Sequence, residues 1–352
     1  MSSPKNPLHK NMSCSMSDST YIGMPTDTQI ENPAWKGEDI HASSQDIFGG
    51  FLRRAQNPDG GWGYRPGTQS STEPTAWATL ALRGQEAADG QALASAAEWL
   101  RRAQSAEGAW PTSSGKDPGC WTTALACLAL LKPATPPEDA IARGLQWLCA
   151  TWPAAGNLLW RLRQRWPGKS EVIVRQDHSL RGWGWTPKTA SWVEPTSYAL
   201  ILLRNVPEAS RPADAAKRIA LGEKMLYDRV CPGGGWNAGN PLVYGVAGVP
   251  WISPTVWALL ALKNHKGRAA NQESLEWLER ICQNIQSPGS LALAQLCLKV
   301  YGRPAKPTEP RLDELCQHNR FLQNVPVAAW ALMAASGIPG WLKDSVQAKD
   351  TR

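Results

Sequence analysis

The chain has 352 residues, enough for one large domain or two ordinary ones and for a substantial buried core. A net charge of +7 and a pI near 9.0 admit an acidic ligand, a diphosphate or an anionic surface, but the basic residues are dispersed, so no nucleic-acid partner is expected. Tryptophan is the outlier, 19 against 3 Phe and 6 Tyr, which calls for a repeated motif or for a surface or cavity of flat amphipathic rings.

Residues 1–42 are rich in Ser, Thr, Pro, Asn and Met and read as a disordered or loosely packed arm, without the apolar stretch of a secretory signal in the first 20. An amphipathic helix is expected over 44–56, closing on Gln56-Asn-Pro-Asp-Gly60-Gly-Trp62, followed by an apolar helix EPTAWATLAL from Glu73. A second amphipathic helix over 91–104 closes on Gln104-Ser-Ala-Glu-Gly108-Ala-Trp110 and precedes CWTTALACLAL from Cys120. A third, over 138–151, is separated from its apolar partner, EPTSYALILL from Glu194, by an insertion at about 153–192. There Trp160, Leu162 and Trp166 alternate with Arg161, Arg163 and Arg165, Pro167-Gly168 reads as a turn, and Glu171 to Arg175 reads as a second strand. This small β-hairpin could be a lid, a basic edge for a diphosphate, a membrane-interface foot or a solvated decoration.

Further pairs follow: a helix over 212–230, a weaker Gly-rich turn from Cys231 to Trp236, then SPTVWALLAL from Ser253; a helix over 271–286, then GSLALAQLCLKV from Gly289; and a helix over 310–323, then PVAAWALMAA from Pro326. Six amphipathic helices alternating with six that are apolar nearly all round specify an all-α chain whose second kind is buried on both sides. Either a closed double ring or an open solenoid satisfies that alternation. The expected organisation is a single domain over 43–342 and a tail over 343–352. No run of 18 apolar residues suggests a membrane span. The eight cysteines form no CxxC pair and read as buried free thiols, as in a cytoplasmic protein.

The connectors of the form Gln, a few residues, Gly-x-Trp resemble the QW repeat of squalene–hopene cyclases and oxidosqualene cyclases. The stretch from Ala55 to Leu82 is especially similar to a cyclase repeat. Over roughly 45–336 the chain resembles the superfamily of terpenoid cyclases and protein prenyltransferases, whose fold is an α6/α6 barrel, or toroid. The resemblance implies a hydrophobic polyisoprenoid ligand in a central aromatic-lined cavity. In class II cyclases the middle Asp of an Asp-x-Asp-Asp motif before an inner helix protonates an alkene or epoxide. Here the matching stretch is Trp192-Val193-Glu194-Pro195-Thr196, so the resemblance places Glu194 at the donor position, with Glu73 in the equivalent place of another repeat. Trp192, Trp185, Tyr198, Trp121, Trp257, Trp77 and Trp251 lie near the same ends of the apolar helices and are the candidate lining. None of the five His sits in the zinc pattern of the prenyltransferases, so no metal or cofactor is expected.

Two readings of the carboxyls stay open. A Glu beside indoles can be desolvated into a neutral acid that protonates an alkene. A Glu in the first turn of a helix also simply meets the positive end of the helix dipole. Acid-initiated cyclisation and a non-catalytic lipid-binding or protein-interaction module therefore both fit. Peripheral membrane contact is open, and the oligomeric state is not legible.

Overall fold

The computed structural model describes residues 43–113, 118–131, 137–154, 175–304, 308–318 and 323–343. Every described residue belongs to one compact unit, Gly37–Arg352. The described residues form twelve α-helices: α1 Ser44–Ala55, α2 Thr72–Leu82, α3 Glu86–Ala103, α4 Thr122–Leu130, α5 Glu138–Ala150, α6 Val193–Asn205, α7 Ala215–Asp228, α8 Ile252–Ala261, α9 Ala269–Cys282, α10 Pro288–Val300, α11 Glu309–His318 and α12 Val325–Ala335. Each coincides with an expected helix. The third starts earlier than its periodicity indicated, because the Ala-rich first turns of α3 carry no large apolar residue to mark the period.

The even-numbered helices close a circuit. Helix α2 packs on α4, α4 on α6, α6 on α8, α8 on α10, α10 on α12, and α12 returns to α2. The odd-numbered helices lie outside them, α1 across α12 and α2, α3 across α2 and α4, α9 across α8 and α10. The architecture is thus an all-α toroid, and the open solenoid is excluded. Burial follows the two helix types. Every residue of α4 is buried, whereas α9 buries a stripe of Asn271, Ser274, Leu275, Leu278 and Cys282. Side-chain caps start α1, α10 and α12, with Ser43, Ser287 and Asn324 each accepting a backbone N–H of the first turn.

The connectors act as staples between neighbouring hairpins. Gln56 donates to the carbonyls of Gly60 and of Ala92 in α3, both at 2.9 Å, and Gln104 repeats this on Gly108 and on Ala140 in α5, both at 2.8 Å. The indole N–H groups of Trp62, Trp110 and Trp236 donate back to the carbonyls of Leu52, Leu100 and Leu226. A threonine at the start of the next inner helix then grips the same tryptophan's backbone. The Oγ1 atoms of Thr75, Thr123 and Thr255 accept from the N–H of Trp62, Trp110 and Trp236 and donate to the carbonyl of the same residue. Gly60 takes φ +91° in this turn, and a Cβ there would lie 2.6 Å from the Ser95 carbonyl oxygen.

Trp183 belongs to the same series, though no glutamine marks it. Its indole donates to Leu148 O at 2.9 Å and its backbone meets Thr196 as the others meet their threonines. Four residues past the accepting leucine, where Gln56 and Gln104 stand, is Trp152. The donor comes instead from the opposite side. Arg218 of α7 is fully buried between the Trp152 and Trp183 rings, 4.0 and 4.2 Å from their centroids, and donates to the carbonyls of Cys149, Thr151 and Gly182. Glycines beneath the rings fix the register: Gly144 lies under Trp110 and Gly222 under Trp183, so Arg218 occupies the position of Ala140. The staple is reversed in direction but likewise joins neighbouring hairpins, here the third and the fourth.

The β-hairpin expected at 160–175 lies, except for Arg175, outside the described residues. A different antiparallel pair is present, β1 Leu242–Val243 and β2 Val246–Ala247, too short to have shown a period. Arg175 donates its backbone N–H to Leu242 O at 3.1 Å, so the chain leaving the insertion joins this hairpin.

Candidate functional site

The first turns of α2, α6 and α8 meet at one face of the ring. Glu73 sits in the first turn of α2 and Glu194 in the first turn of α6, where the helix dipole favours a negative group. Tyr64 donates its hydroxyl to Glu73 Oε2 at 2.5 Å, and Ser253 of α8 donates to Glu194 Oε1 at 2.6 Å. Burial pushes both carboxyls above their ordinary range, and the hydroxyl donors only partly offset it. The negative charge of Glu73 raises Glu194 further, and among the described residues no Lys or Arg offsets it at either carboxyl. The Trp77 indole N–H lies close to the Glu73 carboxyl but makes no hydrogen bond of normal geometry. The result is a pair of acids that hold their protons to higher pH than surface glutamates do.

Beneath them lies a continuous aromatic cluster. Trp185 meets Trp121 edge-on at 5.1 Å, Trp121 stacks on Tyr198 at 5.6 Å, and Tyr198 meets Trp257 edge-on at 5.2 Å. Trp77 and Trp257 stack at 4.9 Å with 25° between their planes. Burial, then the charges of Glu194 and Glu73, keep Tyr198 a neutral phenol well past its ordinary range. The structure therefore brings together Glu73, Glu194, Trp77, Trp121, Trp185, Tyr198 and Trp257. Trp192 and Trp251 stand apart from these ring contacts. Trp192 is the N-cap of α6, and Trp251, the N-cap of α8, is 57% exposed.

Among the described residues, stacked indoles stand where the family resemblance implies a hollow centre. Helices α2 and α8 stand opposite each other in the circuit, so the Trp77–Trp257 stack crosses the axis, and both side chains are fully buried. Trp330 of α12 and Trp341 also approach Trp77, at 6.0 and 6.5 Å. Four indoles, Trp77, Trp257, Trp330 and Trp341, thus gather at the hub. A cavity of about 210 Å³ lies at the opposite end, among Leu80, Arg83, Leu128, Leu131, Asn205 and Trp341. Among the described residues no group of three or more His, Cys, Asp or Glu gathers as a metal site.

Sequence reasoning missed Tyr64 and Ser253, the two hydroxyl donors. The signal for Ser253 was its alignment with Glu73 and Glu194 at the start of an inner helix, while nothing in the pattern singled out Tyr64.

No family model and no curated protein matches the chain. Among solved structures, a protein from Actinoplanes is similar, with a TM-score of 0.53 and 16% identity over 83% of this chain and 98% of that one. A variant of the type II terpene cyclase MstE from Scytonema, in complex with its substrate geranylgeranyl dihydroxybenzoate, reaches a TM-score of 0.47 at 18% identity, covering 84% of this chain and 80% of that one. The apo form of the same cyclase gives 0.46 at 17% identity, covering 84% of this chain and 81% of that one. At such identities a likeness concerns the all-α architecture alone.

Proposed function

We propose that this chain handles an isoprenoid at the mouth formed by the first turns of α2, α6 and α8, with Glu194 as the acid. The observation that carries the reading is the pair of carboxyls, desolvated and without a counter-cation among the described residues, directly above an aromatic cluster. In this scheme the proton on Glu194 passes to an alkene carbon, the π pair forms the new C–H bond, and the positive charge falls on the more substituted neighbour. The faces of Trp121 and Tyr198 attract that cation. The Ser253 hydroxyl stays on the carboxylate left behind. Glu73, under Tyr64, is the partner whose charge keeps the Glu194 proton in place beforehand. Binding requires the mouth to widen, because the Trp77–Trp257 stack fills the axis beneath it.

That stack also favours a second reading, in which the ring keeps its fold as a binding module without chemistry. Incubation of the purified protein with squalene, farnesyl diphosphate and geranylgeranyl diphosphate, with products followed by mass spectrometry, separates the two. The acid reading expects a product with the wild type and a loss of about a hundredfold or more in Glu194→Gln, in line with removal of a general acid, with the fold intact by circular dichroism. No turnover by folded wild type leaves the module reading standing.

A further inference from the structure

The hairpin before α8 presents apolar side chains to solvent at a strained turn. Tyr244 and Gly245 join β1 to β2 as a two-residue loop, with φ +49° and +76°. Such loops favour Asn-Gly or Asp-Gly, since a bulky side chain is disfavoured at positive φ. Tyr244 is nevertheless 68% exposed, so packing does not account for it. Val246, Val249 and Trp251 are 70%, 72% and 57% exposed, which puts four large apolar side chains in solvent within eight residues. Isolated exposed hydrophobics are ordinary, but a cluster marks an interaction surface.

The base of the hairpin is held firmly. The Asn237 side chain accepts from the N–H of Gly239 and Asn240 and donates to Asn240 O. Gln176 donates to Gly239 O at 2.6 Å, Gly248 N to Pro241 O at 2.8 Å, and Trp251 N to Trp236 O at 2.8 Å. The tip is thus a rigid projection. From Val230 through Leu262 the chain carries no ionisable side chain other than Cys231 and Tyr244, while its net charge is +7.

We propose that Tyr244, Val246, Val249 and Trp251 form a membrane-interface anchor that seats this face of the ring on an anionic bilayer. Tyr and Trp with short aliphatic neighbours suit the boundary between headgroups and acyl chains. The positive net charge supplies attraction to anionic lipid. Burying the four side chains would cover roughly 500 Å², less than the roughly 800 Å² per partner of a stable protein interface, which argues against a second copy. Trp251 lies two residues before Ser253, which holds Glu194, so the seated face is the one that carries the acid mouth. The anchor does not depend on the chemistry proposed there.

Co-sedimentation of the full chain with phosphatidylcholine vesicles, with and without about a quarter phosphatidylglycerol, tests it without any turnover readout. Wild type is expected to bind the anionic vesicles. The triple variant Tyr244→Asn/Val249→Ser/Trp251→Ser is expected to bind at least tenfold more weakly. Tyr244→Asn alone should also weaken binding while its melting temperature stays the same or rises, because Asn suits the turn better. Failure of wild type to sediment with either vesicle, or unchanged binding by the triple variant, overturns the proposal. So does a wild-type dimer in light scattering that the triple variant abolishes.

Discussion

Arg218→Ala is the sharpest test of how the hairpins are stapled. The guanidinium supplies donors to two buried carbonyls and a part-buried one, and each orphaned carbonyl costs about 1 kcal/mol. It also stacks on two indoles, at about 0.5–1 kcal/mol each. Against this, burial has already pulled its pKa down to about 10, so removing the charge returns part of a desolvation cost. The net is a loss of about 3 kcal/mol, or roughly 6 °C in melting temperature for a domain of this size. The double variant Trp152→Gln/Arg218→Ala places a glutamine where Gln56 and Gln104 stand, facing an alanine as they do, and is expected to recover about half of that loss. Urea unfolding of wild type, both single variants and the double variant gives the coupling. A loss under about 1 kcal/mol for Arg218→Ala, or a double variant no more stable than that single variant, refutes the equivalence drawn between the third connector and the first two.

Two further outcomes follow from the same geometry. Gly60→Ala should cost about 3 kcal/mol or more, because its Cβ would strike the Ser95 backbone at positive φ. Gly67→Ala, at φ +73° but with nothing within 4 Å, should cost about 1 kcal/mol, and urea titration of both variants checks the contrast. The folded carboxyls of Glu73 and Glu194 lie above the ordinary value of 4.5, so between those values the native state binds more protons than the unfolded one. Their contribution is therefore fully present below about pH 4.5 and is lost as pH rises through the folded values. The variant Glu73→Gln/Glu194→Gln should show a flatter decline of stability from about pH 4 upward than wild type, measured by urea unfolding across that range.

The helices were legible because their apolar residues recur at helical spacing on one face in the outer set and on every face in the inner set. Ring closure was not, since α12 and α2 meet across more than two hundred residues and no local period reports that contact. Glu73 and Glu194 could be singled out from their repeated place at helix starts, but their mutual influence depends on how the ring closes around α4. The third connector was hidden because Trp152 replaces the marker glutamine and the insertion separates it from Trp183. Its threonine was visible in principle, since Thr75, Thr123 and Thr196 each follow their tryptophan by thirteen residues. The exposed hairpin was missed because two-residue strands carry no alternation. The filled hub was illegible for a different reason. Nothing along the chain says that Trp77 and Trp257 face each other rather than a cavity.

The surplus of tryptophan divides between two physical jobs, and the division bears on function. In the connectors the indole N–H is used: Trp62, Trp110, Trp183 and Trp236 each donate to a leucine carbonyl. In the hub it is not. Among the described residues the Nε1 atoms of Trp257, Trp330 and Trp341 are buried without an acceptor, and that of Trp77 has only the Glu73 carboxyl, poorly aligned, beside it. Leaving such a donor unmet costs about 1–3 kcal/mol each, and Phe would fill much of the same space without that cost. A hub selected for packing alone would therefore be expected to use Phe, yet the whole chain has only three. Under the function proposed above, indoles at this place suit a hub that opens, where their faces attract a cation and their N–H groups meet an acceptor. The penalty is then confined to the closed state, and it lowers the cost of parting the Trp77–Trp257 stack for a ligand entering below Glu73 and Glu194.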